Sequence, residues 1–170
     1  MYLRSKSRQR GLPRLLSLKS PPQKTRPHKK LSVNSGEAAQ EVHRFDNVPI
    51  KENKRIVWDF YSILKEVEKS IASCGKVDSL AFDTWGVDYG LLTEHDYLMS
   101  LPTNYRDPRT NGMPEKVFQQ ISPEKLYVAT GNQIMPINTL FQLMAEKGKR
   151  LESKSMLFMP DLFAWALCGS

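Results

Sequence analysis

Three rhythms of apolar residues run along this chain, and each predicts a different element. From Val57 onward, apolar side chains fall at Val57, Phe60, Tyr61, Leu64, Val67 and Ile71. That spacing traces one face of a helix, with Asp59 placed to cap its start and Gly75 to stop it. Val77–Phe82 follows and closes on three consecutive apolar residues, Leu80, Ala81 and Phe82. An unbroken apolar run of this kind suits a strand covered on both faces, as in a parallel sheet. Val87–Leu92 reads as a second strand, Thr93–Asp96 as a turn and Tyr97–Leu101 as an antiparallel return. Upstream, Glu41–Phe45 alternates loosely like a strand, and Asp46-Asn47 with Pro49 marks a turn.

The second half of the chain is helical in pattern. Pro114 sits at a helix start ahead of Val117, Phe118 and Ile121, and Ser122-Pro123 repeats the device before Leu126 and Tyr127. Asn138 can cap a helix whose face is Ile137, Leu140, Phe141 and Met144, with Lys147, Lys149 and Arg150 near its negative end. Ser155–Met159 reads as a short strand and Pro160–Leu167 as a last helix. Strand, helix, strand and then helices indicate an α/β fold. No internal repeat is found.

Charge divides the chain. The 170 residues carry a formal net charge of +7, but residues 1–40 hold ten Lys/Arg against one acid, Glu37, while residues 41–170 hold fifteen against seventeen. The basic segment also has four prolines and one aromatic, Tyr2. Such a composition buries too little apolar surface to offset the entropy of ordering it, so residues 1–40 are expected to be a disordered basic tail and residues 41–170 the folded body. The tail can be read as an organelle-targeting peptide, as an arm for nucleic acid or membrane, or as a solvated extension from a shifted gene start. Two cysteines, Cys74 and Cys168, make no disulfide framework and point to a reducing, cytoplasmic setting. The longest apolar stretch, Met156–Cys168, is too short to span a membrane and is broken by Pro160 and Asp161. No secretory signal opens the chain.

Candidate chemistry is concentrated in three segments. There is no glycine-rich phosphate motif, and His28, His43 and His95 are isolated, so a metal site is not expected. Asp83-Thr84-Trp85-Gly86-Val87-Asp88 begins where the Val77–Phe82 strand ends, and open α/β sheets bind ligands beyond the carboxyl ends of their strands. Gly86 lets a ligand approach the backbone closely, and Trp85 offers a flat face with a donor at its edge, which suits a sugar. The same residues also fit a core indole, a bulge and turn caps. In Tyr105-Arg106-Asp107-Pro108-Arg109-Thr110 two arginines flank a carboxylate. They can bind a polar ligand or hold a loop through an Arg–Asp pair. Gly131–Thr139 is polar at both ends and leads into a helix, for which capping by Asn138 is the simpler reading.

Together these segments resemble the rhamnulokinases, a family of FGGY carbohydrate kinases. The resemblance rests on Asp83-Thr84-Trp85-Gly86-Val87-Asp88-Tyr89-Gly90-Leu91-Leu92, then Tyr105–Thr110, then Gly131-x-Gln133-x-Met135-Pro136-x-Asn138-Thr139-Leu140-x-Gln142-Leu143, then Met159-Pro160-Asp161-Leu162-Phe163. His43-Arg44-Phe45 and Trp58-Asp59 match further upstream, so it spans about Glu41 to Gly169. It implies a ribonuclease H-like (actin-like ATPase) domain, here incomplete, and transfer of the γ-phosphate of ATP-Mg to the 1-hydroxyl of L-rhamnulose. Gly86 matches the family's sugar-contacting glycine. Asp83, Trp85, Arg106, Asp107 and Arg109 lie in the motifs flanking that site.

The departures from the family carry expectations of their own. The family opens with an Asp-x-Gly hairpin that cradles ATP phosphates, whereas the first aspartate here is Asp46. The family's catalytic aspartate and adenosine pocket lie beyond the position matched by Ser170. No catalytic, cofactor-binding or metal-binding residue is therefore assigned, and the chain is expected to be inactive alone, with a complementing kinase half as a possible partner. Without a first strand beside it, Val77–Phe82 is expected to have an open edge and the domain to be marginal. Two other functions fit: a non-catalytic sugar- or partner-binding remnant, and anion binding through the basic tail. With the charge confined to that tail, neither nucleic acid nor membrane is expected as a partner of the body.

Overall fold

The computed structural model describes residues 15–19, 28–34, 40–146 and 148–169. In chain order the strands and helices are β1 (Leu15–Lys19), β2 (His28–Asn34), β3 (Gln40–Asp46), β4 (Ile50–Glu52), β5 (Arg55–Val57), α1 (Phe60–Ser73), β6 (Ser79–Phe82), β7 (Tyr89–Leu92), α2 (Met113–Phe118), α3 (Pro123–Thr130), α4 (Thr139–Glu146), α5 (Gly148–Glu152), β8 (Ser155–Phe158) and α6 (Met159–Cys168). A 3-10 turn, Pro108–Thr110, precedes α2. The chain divides into two compact units: residues 1–48, 59–86 and 159–170 form one, residues 49–58 and 87–158 the other. The residues expected to form the folded body, 41–170, are shared between these two units.

The first unit is built on a four-stranded sheet in the order β3-β2-β1-β6. β1 runs antiparallel to β2 and parallel to β6, with Leu15 opposite Ser79 and Leu18 opposite Phe82. This corrects two expectations. The basic segment is not a tail throughout, because two of its stretches are strands, and the edge of β6 expected to be open is occupied by β1. The reason is local: Leu16-Ser17-Leu18-Lys19 and Lys30-Leu31-Ser32-Val33 alternate with a period of two, and that pattern counts for more than the average composition of forty residues. The remainder of residues 1–40, 1–14 and 20–27 and 35–39, lies outside the described residues.

Helix α1 belongs to this unit. Asp59 caps it by accepting from the Ser62 N–H at 3.2 Å, and Gly75, at φ +66°, turns the chain away after it. Its buried face is Phe60, Ile63, Val67 and Ser70: Phe60 and Val67 lie on the expected stripe, Ile63 and Ser70 stand one position before the expected Leu64 and Ile71, and Tyr61 is exposed. The Phe163 ring of α6 stacks on Phe60 at 5.1 Å and on Phe82 at 5.7 Å, joining helix, helix and sheet. At the sheet's far side the His43 ring nitrogen Nε2 lies 2.8 Å from Glu66 of α1.

The second unit holds two antiparallel pairs, β4 with β5 and β7 with β8. The β4–β5 hairpin turns on Asn53 and Lys54 at φ 47° and 66°, both positive as a two-residue hairpin turn demands. Val57, read from sequence as a helix residue, ends this hairpin. The return expected over Tyr97–Leu101 is reduced to one bridge, Leu92 to Leu98. Helices form at all three expected starts, with Ser122 capping α3 through the Lys125 N–H at 3.3 Å, but Ile121 lies beyond α2, Ile137 precedes α4, and the buried residues of α4 are Phe141 and Gln142 while Leu140 is exposed. Phe118 meets Phe141 edge to face at 6.2 Å.

Candidate functional site

Asp83, Thr84, Trp85 and Gly86 follow directly on β6, at the carboxyl end of a parallel-paired strand, where ligands bind in folds of this class. Asp83 and Gly86 are exposed and Trp85 is half-buried. Gly86 does not adopt a positive φ, and a Cβ added there would meet no atom within 4 Å. Neither the backbone nor the packing of the described residues requires a glycine at this position. In the same unit a cavity of about 110 Å³ between β6 and α6 is lined by Leu80, Phe82, Ala164 and Leu167. Its one charged lining residue is Asp161, so it lacks the converging polar groups of a sugar site.

Val87 and Asp88 begin the longer stretch of the second unit and lead into a buried polar network. Asp88 is fully buried. Its Oδ2 accepts from Trp58 Nε1 at 2.6 Å and from the Tyr105 N–H at 3.2 Å, and its Oδ1 accepts from Gln142 Nε2 at 3.0 Å. Gln142 is also fully buried, and its Nε2 shares its two hydrogens among Asp88 Oδ1, Val87 O at 3.1 Å and Ile137 O at 2.8 Å. Its Oε1 accepts from Arg109 Nη2 at 2.7 Å, and Glu146 lies 3.4 Å from the same nitrogen. Thr139 Oγ1 adds a second bond to Val87 O at 2.9 Å. Arg109 Nε and Nη1 and Tyr89 Oη are buried without a hydrogen-bond partner among the described residues. Burial pushes the Tyr89 phenol far above its ordinary value, with Glu146 adding to the effect and Arg109 opposing it.

The Arg106–Arg109 segment separates into an outside and an inside. Arg106 is exposed, with its guanidinium 5.4 Å from the centre of the Tyr105 ring. The Arg109 side chain is only 3% exposed, so its fork serves the network rather than presenting itself to solvent. Asp107 is buried as well. It accepts from the Ile56 N–H at 2.7 Å, the Arg109 N–H at 3.0 Å and Arg55 Nη1 at 3.1 Å. Its charge partner is Arg55 of the hairpin, not either arginine of its own motif.

Burial alone would raise the Asp107 pKa, but the two backbone N–H groups and Arg55 outweigh it and hold the carboxyl below its usual value. A carboxylate depressed in the folded state contributes stability above its unfolded pKa of about 3.9, and that contribution is lost as pH falls through the lower folded value. The urea midpoint is therefore expected to fall below about pH 4. Asp107→Asn should cost about 1–3 kcal/mol at pH 7 and flatten that acid limb. An unchanged limb in the variant would remove Asp107 from the explanation.

Of the residues singled out from sequence, Asp83, Trp85 and Gly86 lie in the first unit, and Arg106, Asp107 and Arg109 in the second. The structure makes Asp107 and Arg109 internal braces. Asn138 does not cap through its side chain: its Nδ2 donates to Gln133 O at 2.8 Å, while its carbonyl receives the Phe141 N–H at 3.0 Å. Trp58, Asp88, Thr139 and Gln142 had no role assigned from sequence, although all four sit in the matched motifs. Their signal was a hydrogen-bonding group set within an apolar stretch. Arg55 and Glu146 gave no signal. Among the described residues no helix is long and apolar enough to cross a membrane.

No family model matches the chain. Among curated proteins, the rhamnulokinase of Halalkalibacterium halodurans is 38% identical over 137 residues and that of Oceanobacillus iheyensis 43% over 140. Each alignment takes in 76% of this chain and 29% of the relative, so the chain spans less than a third of those proteins. Among solved structures, a gluconate kinase from Lactobacillus acidophilus superposes with a TM-score of 0.75 at 14% identity, over 94% of this chain and 34% of that one. A xylulose kinase from Bifidobacterium adolescentis gives 0.68 at 12%, over 93% and 34%. At such identities the superpositions speak for the fold alone, which is the actin-like ATPase fold of sugar kinases. Sequence and fold converge: over three quarters of its length this chain is similar to rhamnulokinases, and its fold is that of sugar kinases.

Proposed function

We propose that this chain provides the sugar-recognising wall of a rhamnulokinase-type phosphotransferase acting on L-rhamnulose or a close ketose in the cytoplasm. Gly86 carries the reading. It is exposed and has neither a positive φ nor a close neighbour, so the lack of a side chain there is accounted for by a ligand approaching the backbone. Asp83 and Trp85, in the same segment, are the proposed polar and stacking contacts. Within the second unit, taken by itself, Arg106 is the exposed residue of its motif, Asp107 holds the motif's Arg109 N–H, and the Arg109 side chain ties the motif to α4 through Gln142 and Glu146.

ATP and Mg are the co-substrates the family implies. Among the described residues no group of three or more His, Cys, Asp or Glu side chains is placed to hold a metal ion. No step through the nucleotide is therefore assigned to these residues. Turnover is proposed to require the remaining kinase length, whether continuous with this chain or supplied as a separate one. A coupled ATP assay with L-rhamnulose should show no turnover by this chain alone, and sugar-dependent turnover would overturn that.

Calorimetry with L-rhamnulose tests the binding role. Gly86→Ala should keep or slightly raise thermal stability, since the new Cβ has space and the unfolded chain loses freedom. It should nevertheless weaken binding about tenfold, and Gly86→Trp should abolish it. If both variants bind like the parent, or the parent binds no ketose, the proposal fails.

A further inference from the structure

The Val87 carbonyl is held by two side chains of one helix. Thr139 Oγ1 reaches it at 2.9 Å from the first residue of α4, and Gln142 Nε2 at 3.1 Å from one turn further on. Gln142 cannot turn its amide over. Its Nε2 faces three acceptors, Val87 O, Asp88 Oδ1 and Ile137 O, while its Oε1 faces the Arg109 guanidinium. A flipped amide would set an oxygen against two carbonyls and a carboxylate, and an NH2 group against a cation. The orientation is therefore fixed, and with it the carbonyl that the nitrogen holds.

Val87 is joined through its own nitrogen to Gly86, so whatever fixes the Val87 carbonyl limits the torsions open to the Gly86 peptide. Glycine needs such support more than any other residue, because nothing in its own side chain restrains it. We infer that Thr139 and Gln142 are positioning residues for sugar recognition: they set the backbone at Gly86–Val87 without touching the sugar. This rests on the proposed role of Gly86 and adds two residues to it. It also explains why a threonine and a glutamine three positions apart stand in the first four residues of α4.

The experiment compares Thr139→Val with Thr139→Ser in the full chain. Valine keeps the shape and loses the donor, and serine keeps the donor. Thr139→Val should weaken L-rhamnulose binding about threefold to tenfold, the size of one net hydrogen bond. Its unfolding temperature should stay close to the parent's, and Thr139→Ser should restore affinity. Amide hydrogen exchange over residues 85–88, measured without sugar, should quicken in Thr139→Val and return to the parent rate in Thr139→Ser. Unchanged exchange in Thr139→Val overturns the inference whether or not the parent binds sugar. Quickened exchange in Thr139→Val, with a parent that binds no ketose, would sustain the positioning of the backbone and sink the sugar reading. Quickened exchange with undiminished binding would overturn the link to recognition. A Gln142→Met variant gives a second check: it should weaken binding at least as much as Thr139→Val, and parent-like affinity in this variant counts against the inference.

Discussion

Removal of residues 1–34 should leave a chain that aggregates instead of folding. These residues include β1 and β2, the two strands between β3 and β6 in the four-stranded sheet. β1 is bonded on both sides, to β2 over five residue pairs and to β6 over four. Deleting both strands leaves β3 without its partner and exposes the β6 edge along Ser79-Leu80-Ala81-Phe82. An unpaired edge of short apolar strand, with no charge to guard it, is a template for pairing with a second copy. The expectation is a void-volume peak in size exclusion and no cooperative thermal transition. A point variant gives the same test with less disruption. Ser17→Pro removes a ladder N–H in the middle of β1 and should cost about 3 kcal/mol or more. If the shortened chain is monomeric and melts cooperatively, β1 and β2 are not part of the folding unit and the basic segment returns to being a dispensable extension.

That segment shows where the sequence was misleading and why. Its prolines and positive charge are real, but they describe forty residues at once. Strand formation is decided over five, and Leu15-Leu16-Ser17-Leu18-Lys19 has enough alternation to enter a sheet once β6 offers it an edge. Long-range pairing of this kind is written in no local window. The β4–β5 hairpin was missed for a similar reason. Its strands are three residues each, too short to show a period, and its turn is Asn53-Lys54 rather than a glycine pair. By contrast α1 was legible because fourteen residues give the helical period time to show and Asp59 marks the start. Even there the stripe was only partly right: Phe60 and Val67 are buried as expected, but Val57 ends the hairpin and Ile63 and Ser70 take the places expected of Leu64 and Ile71.

The candidate site was legible as a set of motifs but not as a division of labour. Asp83, Asp88 and Asp107 are the same residue type in neighbouring motifs, and chemistry gives no way to rank them. The structure does: Asp83 is exposed, while Asp88 and Asp107 are buried and spend their oxygens on the chain itself. Arg106 and Arg109 divide in the same way. What separates a ligand-facing group from a brace is which other segment comes to meet it. Arg55, Gln142 and Glu146 arrive from far along the chain.

Asp88→Ala should be the most damaging single substitution in the second unit. The carboxylate receives the Trp58 indole N–H, the Tyr105 backbone N–H and the Gln142 amide, so three donors from three segments meet on one group. Alanine leaves all three buried without an acceptor and opens a void in their midst. Each buried donor left unpaired costs about 1–3 kcal/mol, so a loss of about 3–5 kcal/mol is expected against a typical total stability of about 5–15 kcal/mol. Asp88→Asn separates charge from shape. It keeps one oxygen but turns an NH2 group toward donors that need acceptors, so a loss of about 1–3 kcal/mol is expected, between the parent and alanine. Urea denaturation followed by circular dichroism orders the three proteins. The pattern that supports the network is parent above asparagine above alanine, with the alanine variant partly unfolded before any urea is added. Were alanine to fall within about 1 kcal/mol of the parent, the segments would be held by packing alone. Gln142 would then lose its anchor at Asp88, and the case for its hold on the Gly86–Val87 backbone would rest on its bonds to Val87, Ile137 and Arg109.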